Sequence, residues 1–230
     1  MLLMPWPDPL PAGIEVYRLD FNLGIELPAA RQLLTPDEGA KADRFSRSAD
    51  RVRFTEARAA LRTLLAERVG CEPVEVPLAS NPYGKPYLQL AGVGAPLFNL
   101  SHSGSHALIA LGDARTVGEV GIDIEECREG VDVEGISSLA LTAHECAEVR
   151  PAVNPLHALY AHWTGKEAVL KAIGIGVAGH LKSISVQPRA DGRLTLECDV
   201  PGWKNFQAVA LNAPTGYAAA LAWRAKEETT

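Results

Sequence analysis

The chain has few cysteines and few aromatic residues, and it contains no long apolar run. Its four cysteines are far apart and none forms a Cys-x-x-Cys pair, which argues against a structural zinc site and a disulfide scaffold. No apolar stretch approaches the roughly 20 residues that a membrane-spanning helix needs. The first residues also lack the basic and apolar segments of a secretory signal. We therefore expect a protein of the reducing cytoplasm that does not bind membranes.

Acidic residues outnumber basic ones, 28 to 22. The 230 residues carry a net charge of −6, which disfavours nonspecific binding to nucleic acid. The basic residues are nevertheless concentrated in one segment, at Lys41, Arg44, Arg47, Arg51, Arg53, Arg58 and Arg62. Such a concentration suits an anionic ligand, although an amphipathic helix also carries arginine on its exposed face. The remaining composition, 47% hydrophobic and 22% charged, is that of a globular protein large enough for a full core.

The segment from Val120 to Glu125 alternates with a period of two, which predicts a strand. Its aliphatic side chains share one face, so Asp123 and Glu125 project from the other face as neighbours. Two adjacent carboxylates repel each other, and the arrangement is favourable when they face water or share a cation. Because Mg²⁺ prefers oxygen ligands, the segment indicates either a metal site or an exposed strand end.

A helix is predicted from 154 to 173, where apolar residues recur at helical spacing. It contains the sequence Trp-Thr-Gly-Lys-Glu-Ala-Val-Leu-Lys at residues 163–171. Glu167 and Lys171 lie four residues apart and therefore share a face. They form either a surface ion pair or part of the site, in which Glu167 would be a third metal ligand and Lys171 would contact a phosphate oxygen.

Two further segments are rich in polar and turn-forming residues. Residues 98–106 concentrate Ser, His and Gly at the boundary of an apolar strand, which indicates the lining of a polar pocket. A nucleophilic pair of Ser101 and His102 is conceivable, but the serine is not in a Gly-x-Ser-x-Gly turn. The turn Gly84-Lys85-Pro86 would hold its lysine at a defined position, although exposed turn lysines are common.

In this order, the segments resemble those of the 4′-phosphopantetheinyl transferases, specifically the larger Sfp-type enzymes. That family combines a Gly-hydrophobic-Asp strand with an aromatic-Ser/Thr/Cys-x-Lys-Glu-Ala/Ser-x-x-Lys helix further along the chain. Residues 121–123 and 163–171 match both motifs without a gap. Residues 99–103 match the Ser-His motif of the family, and residues 84–86 match its Gly-Lys-Pro turn. The resemblance runs from about Lys41 to Lys171.

The resemblance implies transfer of 4′-phosphopantetheine from coenzyme A to a serine of an apo acyl or peptidyl carrier protein, with release of 3′,5′-ADP. The ligands of Mg²⁺ would be Asp123, Glu125 and Glu167. The residues that bind coenzyme A would be Lys41, Arg44, Arg53, Lys85, Ser101, His102 and Lys171. Lys171 would also stabilise the leaving group, and the general base would be Glu167, Glu145 or a metal-bound water. Two alternatives stay open: another Mg²⁺-dependent enzyme acting on a phosphate anhydride, and a non-catalytic relative that binds coenzyme A or a carrier.

The same resemblance implies an α+β fold of two similar subdomains related by a pseudo-twofold axis. Residues 1–115 would form the nucleotide side of the coenzyme A site, and residues 116–230 would carry the magnesium and catalytic motifs. Such a chain should act as a monomer, because smaller family members build the same interface from separate subunits. By the same resemblance, its Sfp-type length implies secondary metabolism or broad carrier specificity.

The sequence pattern itself predicts where the main elements lie. Thr35 and Thr142 are predicted to start helices, and a long helix is expected to cover residues 49–69. Strands are predicted in the second half at 118–125, 181–187, 193–198, 206–211 and 216–223.

Overall fold

Two antiparallel sheets, each covered by one long helix, form the core of the protein. The computed structural model describes residues 2–90, 94–176 and 179–227. The strands are β1 (Leu2–Pro5), β2 (Ile14–Asp20), β3 (Leu78–Ser80), β4 (Pro86–Leu88), β5 (Leu97–Ser103), β6 (His106–Gly112), β7 (Val117–Glu126), β8 (Ser185–Pro188), β9 (Arg193–Glu197), β10 (Gln207–Leu211) and β11 (Tyr217–Ala225). The helices are α1 (Pro28–Arg31), α2 (Pro36–Asp43), α3 (Ser48–Val69), α4 (Val133–Ala140), α5 (Ala143–Val149) and α6 (Pro155–Ile173). Within these ranges, every helix is too short or too polar to cross a membrane.

The two halves of the chain repeat one order of elements. The first sheet has the strand order β1-β2-β6-β5, and the second has the order β7-β11-β10-β9-β8. The series β2, α2, α3, β3, β4, β5, β6 corresponds in order to β7, α5, α6, β8, β9, β10, β11. The prediction of an α+β fold with two similar halves is confirmed, and the predicted division between residues 115 and 116 falls in the turn between β6 and β7.

The short helix before each long helix begins with the same capping motif. Thr35 accepts the Glu38 amide with its side chain, and the Glu38 carboxylate accepts the Thr35 amide. Thr142 and Glu145 make the same reciprocal pair at α5. Each pair satisfies two amides that a helix start otherwise leaves free, and the helix starts predicted at Thr35 and Thr142 are confirmed.

Strand β7 lies between the two halves of the molecule. Its aliphatic side chains are buried against the first sheet, at Val120, Ile122 and Ile124. Asp123 and Glu125 project from the other face, as the period of two predicts.

Gly121 allows the backbone of α6 to lie directly on β7. A Cβ at this position would collide with the carbonyl oxygen of Ala168 and the amide nitrogen of Ala172. Glycine is therefore required at this crossing, because it has no side chain to separate the strand from the helix. The close approach brings the side chains of α6 next to the carboxylates of β7.

One strand is shorter than predicted. The segment expected to be extended over 181–187 begins as a strand only at Ser185, and Leu181–Ser183 forms a 3-10 turn. The buried Lys166 ammonium donates to the carbonyl oxygens of Leu181 and Ile184, both at 2.8 Å. These two oxygens accept hydrogen bonds from the lysine instead of from a neighbouring strand, which accounts for the start of β8 at Ser185.

Candidate active site

Three carboxylates meet where β7 passes α6. One oxygen each from Asp123, Glu125 and Glu167 lies within 4.8 Å of the other two. Alternation along β7 puts Asp123 and Glu125 on one face, and α6 brings Glu167 to them. Asp123 is fully buried and Glu167 is 8% exposed, so these acidic groups share a site that is largely closed to water.

Lys171 balances part of this negative charge. Its Nζ lies 2.5 Å from Asp123 Oδ1 and 3.5 Å from Glu167 Oε2. Burial alone would lower the pKa of Lys171, but the carboxylates of Asp123 and Glu167 raise it, so the ammonium stays charged at neutral pH. When all three carboxylates are ionised, the single ammonium leaves the cluster with two negative charges in excess.

Strand β5 of the first half supplies hydroxyl groups to the cluster. Ser101 Oγ donates to Asp123 Oδ1 at 2.7 Å and accepts from Lys171 Nζ at 2.9 Å. Ser103 Oγ donates to Glu125 Oε2 at 2.7 Å. The sequence resemblance assigned a role to Ser101 and none to Ser103. The spacing of two residues, which puts both serines on one strand face, is the signal that would have found it.

Asn99 is a second residue that the sequence did not single out. It is buried on β5, and its Oδ1 accepts the Ile122 amide at 2.9 Å. Ser103 Oγ similarly accepts the Glu126 amide at 3.1 Å. Because β7 is the edge strand of its sheet, these side chains satisfy amides that would otherwise have no strand partner.

The turn between β5 and β6 is held from two sides. Arg53 Nε donates to the Gly104 carbonyl at 2.7 Å, and Tyr217 Oη accepts the Ser105 amide at 2.9 Å. Gly104 has a φ of 52°, and a Cβ there would collide with Tyr217 Oη. These contacts fix the turn that follows the two serines, and the part played by Tyr217 had no signal in the sequence.

The acidic cluster has the properties of a divalent-cation site. Burial and then the charge of Asp123 raise the pKa of Glu125, and the same two causes raise the pKa of Glu167 to about 7. Asp123 Oδ2 is buried and has no hydrogen-bond partner among the described residues. A hard cation such as Mg²⁺ would satisfy that oxygen and relieve the repulsion between the carboxylates.

Both halves of the chain are similar in sequence to known proteins. The sequence profile of the 4′-phosphopantetheinyl transferase superfamily matches residues 119–227, and the profile of the 4′-phosphopantetheinyl transferase N-terminal region matches residues 25–113. The 4′-phosphopantetheinyl transferase HetI of Nostoc sp. is 38% identical over 181 residues, which cover 76% of this chain and 73% of that protein. The chain belongs to the 4′-phosphopantetheinyl transferase family. The family expected from the sequence motifs is thereby confirmed.

Other members of the 4′-phosphopantetheinyl transferase family match over similar lengths. A relative from Synechocystis sp. is 32% identical over 160 residues, which are 69% of this chain and 64% of the relative. The 4′-phosphopantetheinyl transferase of Bacillus subtilis is 27% identical over 164 residues, 71% of this chain and 70% of that protein. The chain thus spans between 64% and 73% of the length of these three relatives.

About half of the chain is also similar to a solved structure. The holo-(acyl-carrier-protein) synthase from Bacillus anthracis, solved in complex with CoA (3′,5′-ADP), has a TM-score of 0.42 and 18% sequence identity. The match covers 49% of this chain and 99% of that chain.

Glu145 does not join the carboxylate cluster. It is fully buried, its oxygens accept the amides of Thr142 and Val186, and it pairs with the equally buried Lys166 at 2.6 Å. A carboxylate with these partners and no exposed surface cannot receive a proton from a substrate. The structure therefore argues against Glu145 as the general base and places it in the framework of the second half.

Some of the residues expected to bind coenzyme A belong to the acidic cluster or lie next to it, and others make no contact with it within the described residues. Ser101 and Lys171 belong to it, and Arg53 holds the adjacent turn. Lys41 and Arg44 are exposed on and just after α2, with no hydrogen bond or ion pair to the acidic cluster in the part of the chain that the structure describes.

Two further predicted contacts differ in their surroundings. His102 is exposed on the face of β5 opposite to Ser101 and Ser103. Lys85 donates to the carbonyl oxygen of Ala172 at 2.9 Å, at the end of α6.

Proposed function

We propose that the protein transfers the 4′-phosphopantetheine group of coenzyme A to a serine of an apo acyl or peptidyl carrier protein and releases 3′,5′-ADP. The observation that carries this proposal is the buried cluster of Asp123, Glu125 and Glu167 with Lys171 against it. Membership of the 4′-phosphopantetheinyl transferase family supports the reaction, because the named relatives from Nostoc sp. and Bacillus subtilis are such transferases.

The proposal includes Mg²⁺ held by the three carboxylates. The unpaired Oδ2 of Asp123 and the raised pKa of Glu167 support this assignment. When bound, the ion would polarise the pyrophosphate of coenzyme A and neutralise charge on it. Ser101 and Ser103 would orient two of the ligands through their hydrogen bonds, which is the usual task of groups around a metal site.

Lys171 is suited to contact the substrate as well as its neighbours. A quarter of its side chain is exposed (25%), so the ammonium can approach a phosphate oxygen while it remains paired with Asp123. Phosphoryl transfer depends mainly on positioning and on neutralising charge that spreads during the reaction. Lys171 would therefore stabilise the negative charge of the departing 3′,5′-ADP.

The nucleophile in this reaction arrives on another protein. The hydroxyl oxygen of the carrier serine forms a bond to the phosphorus that bears pantetheine. The bond from that phosphorus to the oxygen of 3′,5′-ADP breaks, and its electron pair leaves with the nucleotide. The hydroxyl proton passes to a carboxylate, for which we propose Glu167. Glu167 is 8% exposed and lies in the acidic cluster, whereas Glu145 is fully buried and paired with Lys166.

Mass spectrometry of a carrier protein tests the proposed function. The protein is incubated with coenzyme A, Mg²⁺ and several apo carriers, and each carrier is weighed before and after. We expect a mass gain of one phosphopantetheinyl group that disappears in Asp123→Ala and persists in Asp191→Ala, a change of an exposed aspartate in a distant turn. No gain on any carrier would refute the proposal. A gain that survives in Asp123→Ala would refute the metal assignment alone.

We also propose that the protein acts as a monomer. The serines of β5 and the carboxylates of β7 and α6 come from one chain, so the described site needs no partner subunit. Sedimentation equilibrium should give the monomer mass at concentrations where transfer is measured. An active dimer with an inactive monomer would contradict this proposal.

A further inference from the structure

The turn from Asn81 to Lys85 is a rigid platform in the first half. Asn81 Oδ1 accepts the amides of Tyr83 and Lys85, both at 2.9 Å. The backbone amide of Asn81 donates to the backbone carbonyl of Lys85 at 2.9 Å. The backbone amide of Gly84 donates to the backbone carbonyl of Asn81, also at 2.9 Å. Asparagine commonly organises turns through such contacts with its own backbone. The Asn81 side chain and the Lys85 backbone are therefore held in fixed relative positions.

Both side chains of this platform reach the end of α6 in the second half. Asn81 Nδ2 donates to the Gly174 carbonyl at 2.8 Å, and Lys85 Nζ donates to the Ala172 carbonyl at 2.9 Å. The last carbonyls of a helix have no partner within the helix, and a cation there also interacts favourably with the helix dipole. The platform thus caps α6 from another part of the molecule.

Lys85 also connects α6 to the strand that carries the acidic residues. Its Nζ lies 3.5 Å from the carbonyl oxygen of Val120 on β7. Ala172 directly follows Lys171 in the chain, and Val120 precedes Asp123 by three residues. One ammonium group therefore contacts the backbone of both elements whose crossing brings Lys171 to Asp123.

The surroundings of Lys85 agree with a structural contact. Burial lowers the pKa of Lys85 to about 8, against a smaller opposite effect of Glu119. A lysine in that state can donate hydrogen bonds to carbonyl groups in either protonation state, because even the neutral amine keeps N–H groups.

We propose that Asn81 and Lys85 are positioning residues for the metal site, acting together as a clamp that sets α6 against β7. This inference rests on the proposed function for its catalytic meaning, while the clamp itself is a matter of geometry. It differs from the role in nucleotide binding that the sequence resemblance implies for Lys85. Glu167 and Lys171 lie on the last two turns of α6, so loosening the end of the helix would loosen both.

Three variants and a control test the clamp. Lys85→Met keeps the length of the side chain and removes its donors, Lys85→Arg keeps the donors, and Asn81→Ala removes the second contact. Lys182→Met is the matched control, because Lys182 is exposed and donates to the Ser138 carbonyl of α4 at 2.6 Å. Asn81→Ala also serves if Lys85→Met does not fold.

Two measurements need no turnover. Hydrogen exchange of a peptide covering 168–174 should become about tenfold faster in Lys85→Met and in Asn81→Ala, since the capped carbonyls anchor this last turn. The dissociation constant for Mn²⁺, followed by electron paramagnetic resonance, should rise about tenfold, as expected when a group supporting metal ligands is lost. Lys85→Arg should recover most of both effects, and Lys182→Met should change neither.

Calorimetry and kinetics separate the clamp from a role in nucleotide binding. The clamp predicts that affinity for 3′,5′-ADP without metal, and KM for coenzyme A, change less than twofold while kcat falls. A tenfold loss of 3′,5′-ADP affinity with unchanged exchange and unchanged Mn²⁺ binding would overturn the proposal in favour of a nucleotide contact. Unchanged values in every measurement would overturn it as well. If the protein transferred nothing to any carrier, the exchange and Mn²⁺ results would still decide the clamp.

Discussion

The two halves of the protein share one arrangement of strands and helices and differ in what that arrangement encloses. In each half, the glutamate of a capping motif forms an ion pair with a cation of the long helix that follows. Glu38 lies 2.7 Å from Arg62, and Glu145 lies 2.6 Å from Lys166. Each helix ends at a glycine in the left-handed conformation, eight residues after the cation. These glycines are Gly70 after Arg62 and Gly174 after Lys166. The ion pair therefore belongs to the common framework.

The residues beside this framework distinguish the halves. Arg62 is followed by Thr63, whereas Lys166 is followed by Glu167. In the first half, α3 packs in the core with Tyr17 and Leu19 of β2 and with Phe21, which directly follows β2. The residues of β7 that face α6 are Gly121, Asp123 and Glu125. Within the arrangement that both halves share, a few different residues thus make an apolar core in one half and an acidic site in the other.

Removing the acidic character of the second half should have the largest effect. Asp123→Asn and Glu167→Gln should each lower transfer by about 1,000-fold, equivalent to about 4 kcal/mol in the activation free energy. Both side chains keep their size, so circular dichroism should show an unchanged fold. Single-turnover mass spectrometry of the carrier measures the rate. If both variants kept a transfer rate within tenfold of the original, the carboxylates that distinguish the second half would not be needed for catalysis.

Breaking the shared ion pair should destabilise either half to a similar degree. Glu38→Gln and Glu145→Gln each leave a buried cation without its counter-charge, which typically costs about 3 kcal/mol of unfolding free energy. Urea denaturation at neutral pH measures this cost. The transfer rate per folded molecule should change little in Glu145→Gln. Loss of transfer with full stability would instead restore Glu145 as a catalytic candidate.

The close approach of α6 to β7 should be sensitive to a single methyl group. Gly121→Ala places a Cβ against the helix backbone and should lower the unfolding free energy by about 2 kcal/mol. Gly24→Ala is the control, because Gly24 is exposed and its added Cβ would meet only Asn22 at 3.6 Å. Thermal denaturation compares the two variants. Equal stability of both would show that the helix does not rest on the strand.

The metal-free acidic site should make stability depend on pH. Since the pKa of Glu167 is raised from 4.5 to about 7, the folded state binds more protons than the unfolded state between these values. Stability should therefore fall as pH rises from 4.5 to 7, by about 1–2 kcal/mol more in the original protein than in Glu167→Gln. Urea denaturation with a chelator measures the difference. Identical pH profiles would contradict the prediction.

The position in the first half that corresponds to Glu167 should tolerate change. Thr63 donates to the Ala59 carbonyl at 3.0 Å within its own helix. Thr63→Ala should alter the unfolding free energy by less than about 0.5 kcal/mol and leave transfer unchanged. The assays are those used for Glu167→Gln. A marked loss of transfer would place a functional role at a position of α3 that we regard as framework.

Local patterns in the sequence were sufficient to locate much of the site. Alternation predicted that Asp123 and Glu125 share a strand face, and helical spacing predicted that Glu167 and Lys171 share a helix face. Whether these pairs were solvated surface or a metal site could not be decided from spacing. That question depends on burial, which the crossing of β7 and α6 determines.

Contacts between distant segments were not predictable in this way. Asn99 and Ser103 satisfy amides of β7 more than twenty residues away, and nothing in their local sequence specifies that partner. The general preference of charged residues for the surface gives no indication that Lys166 and Glu145 pair in the interior. They are instead fully buried, because each neutralises the other.

The side chains of β5 that cover the edge of β7 also determine how the chain could be divided. A cut between Gly112 and Val117 would leave each fragment with its own sheet and its own long helix. The second fragment alone would expose the amides of Ile122 and Glu126 on a bare strand edge, which invites pairing with other copies. Co-expression would return Asn99 and Ser103 to that edge, so the two fragments should be soluble and active as a complementing pair.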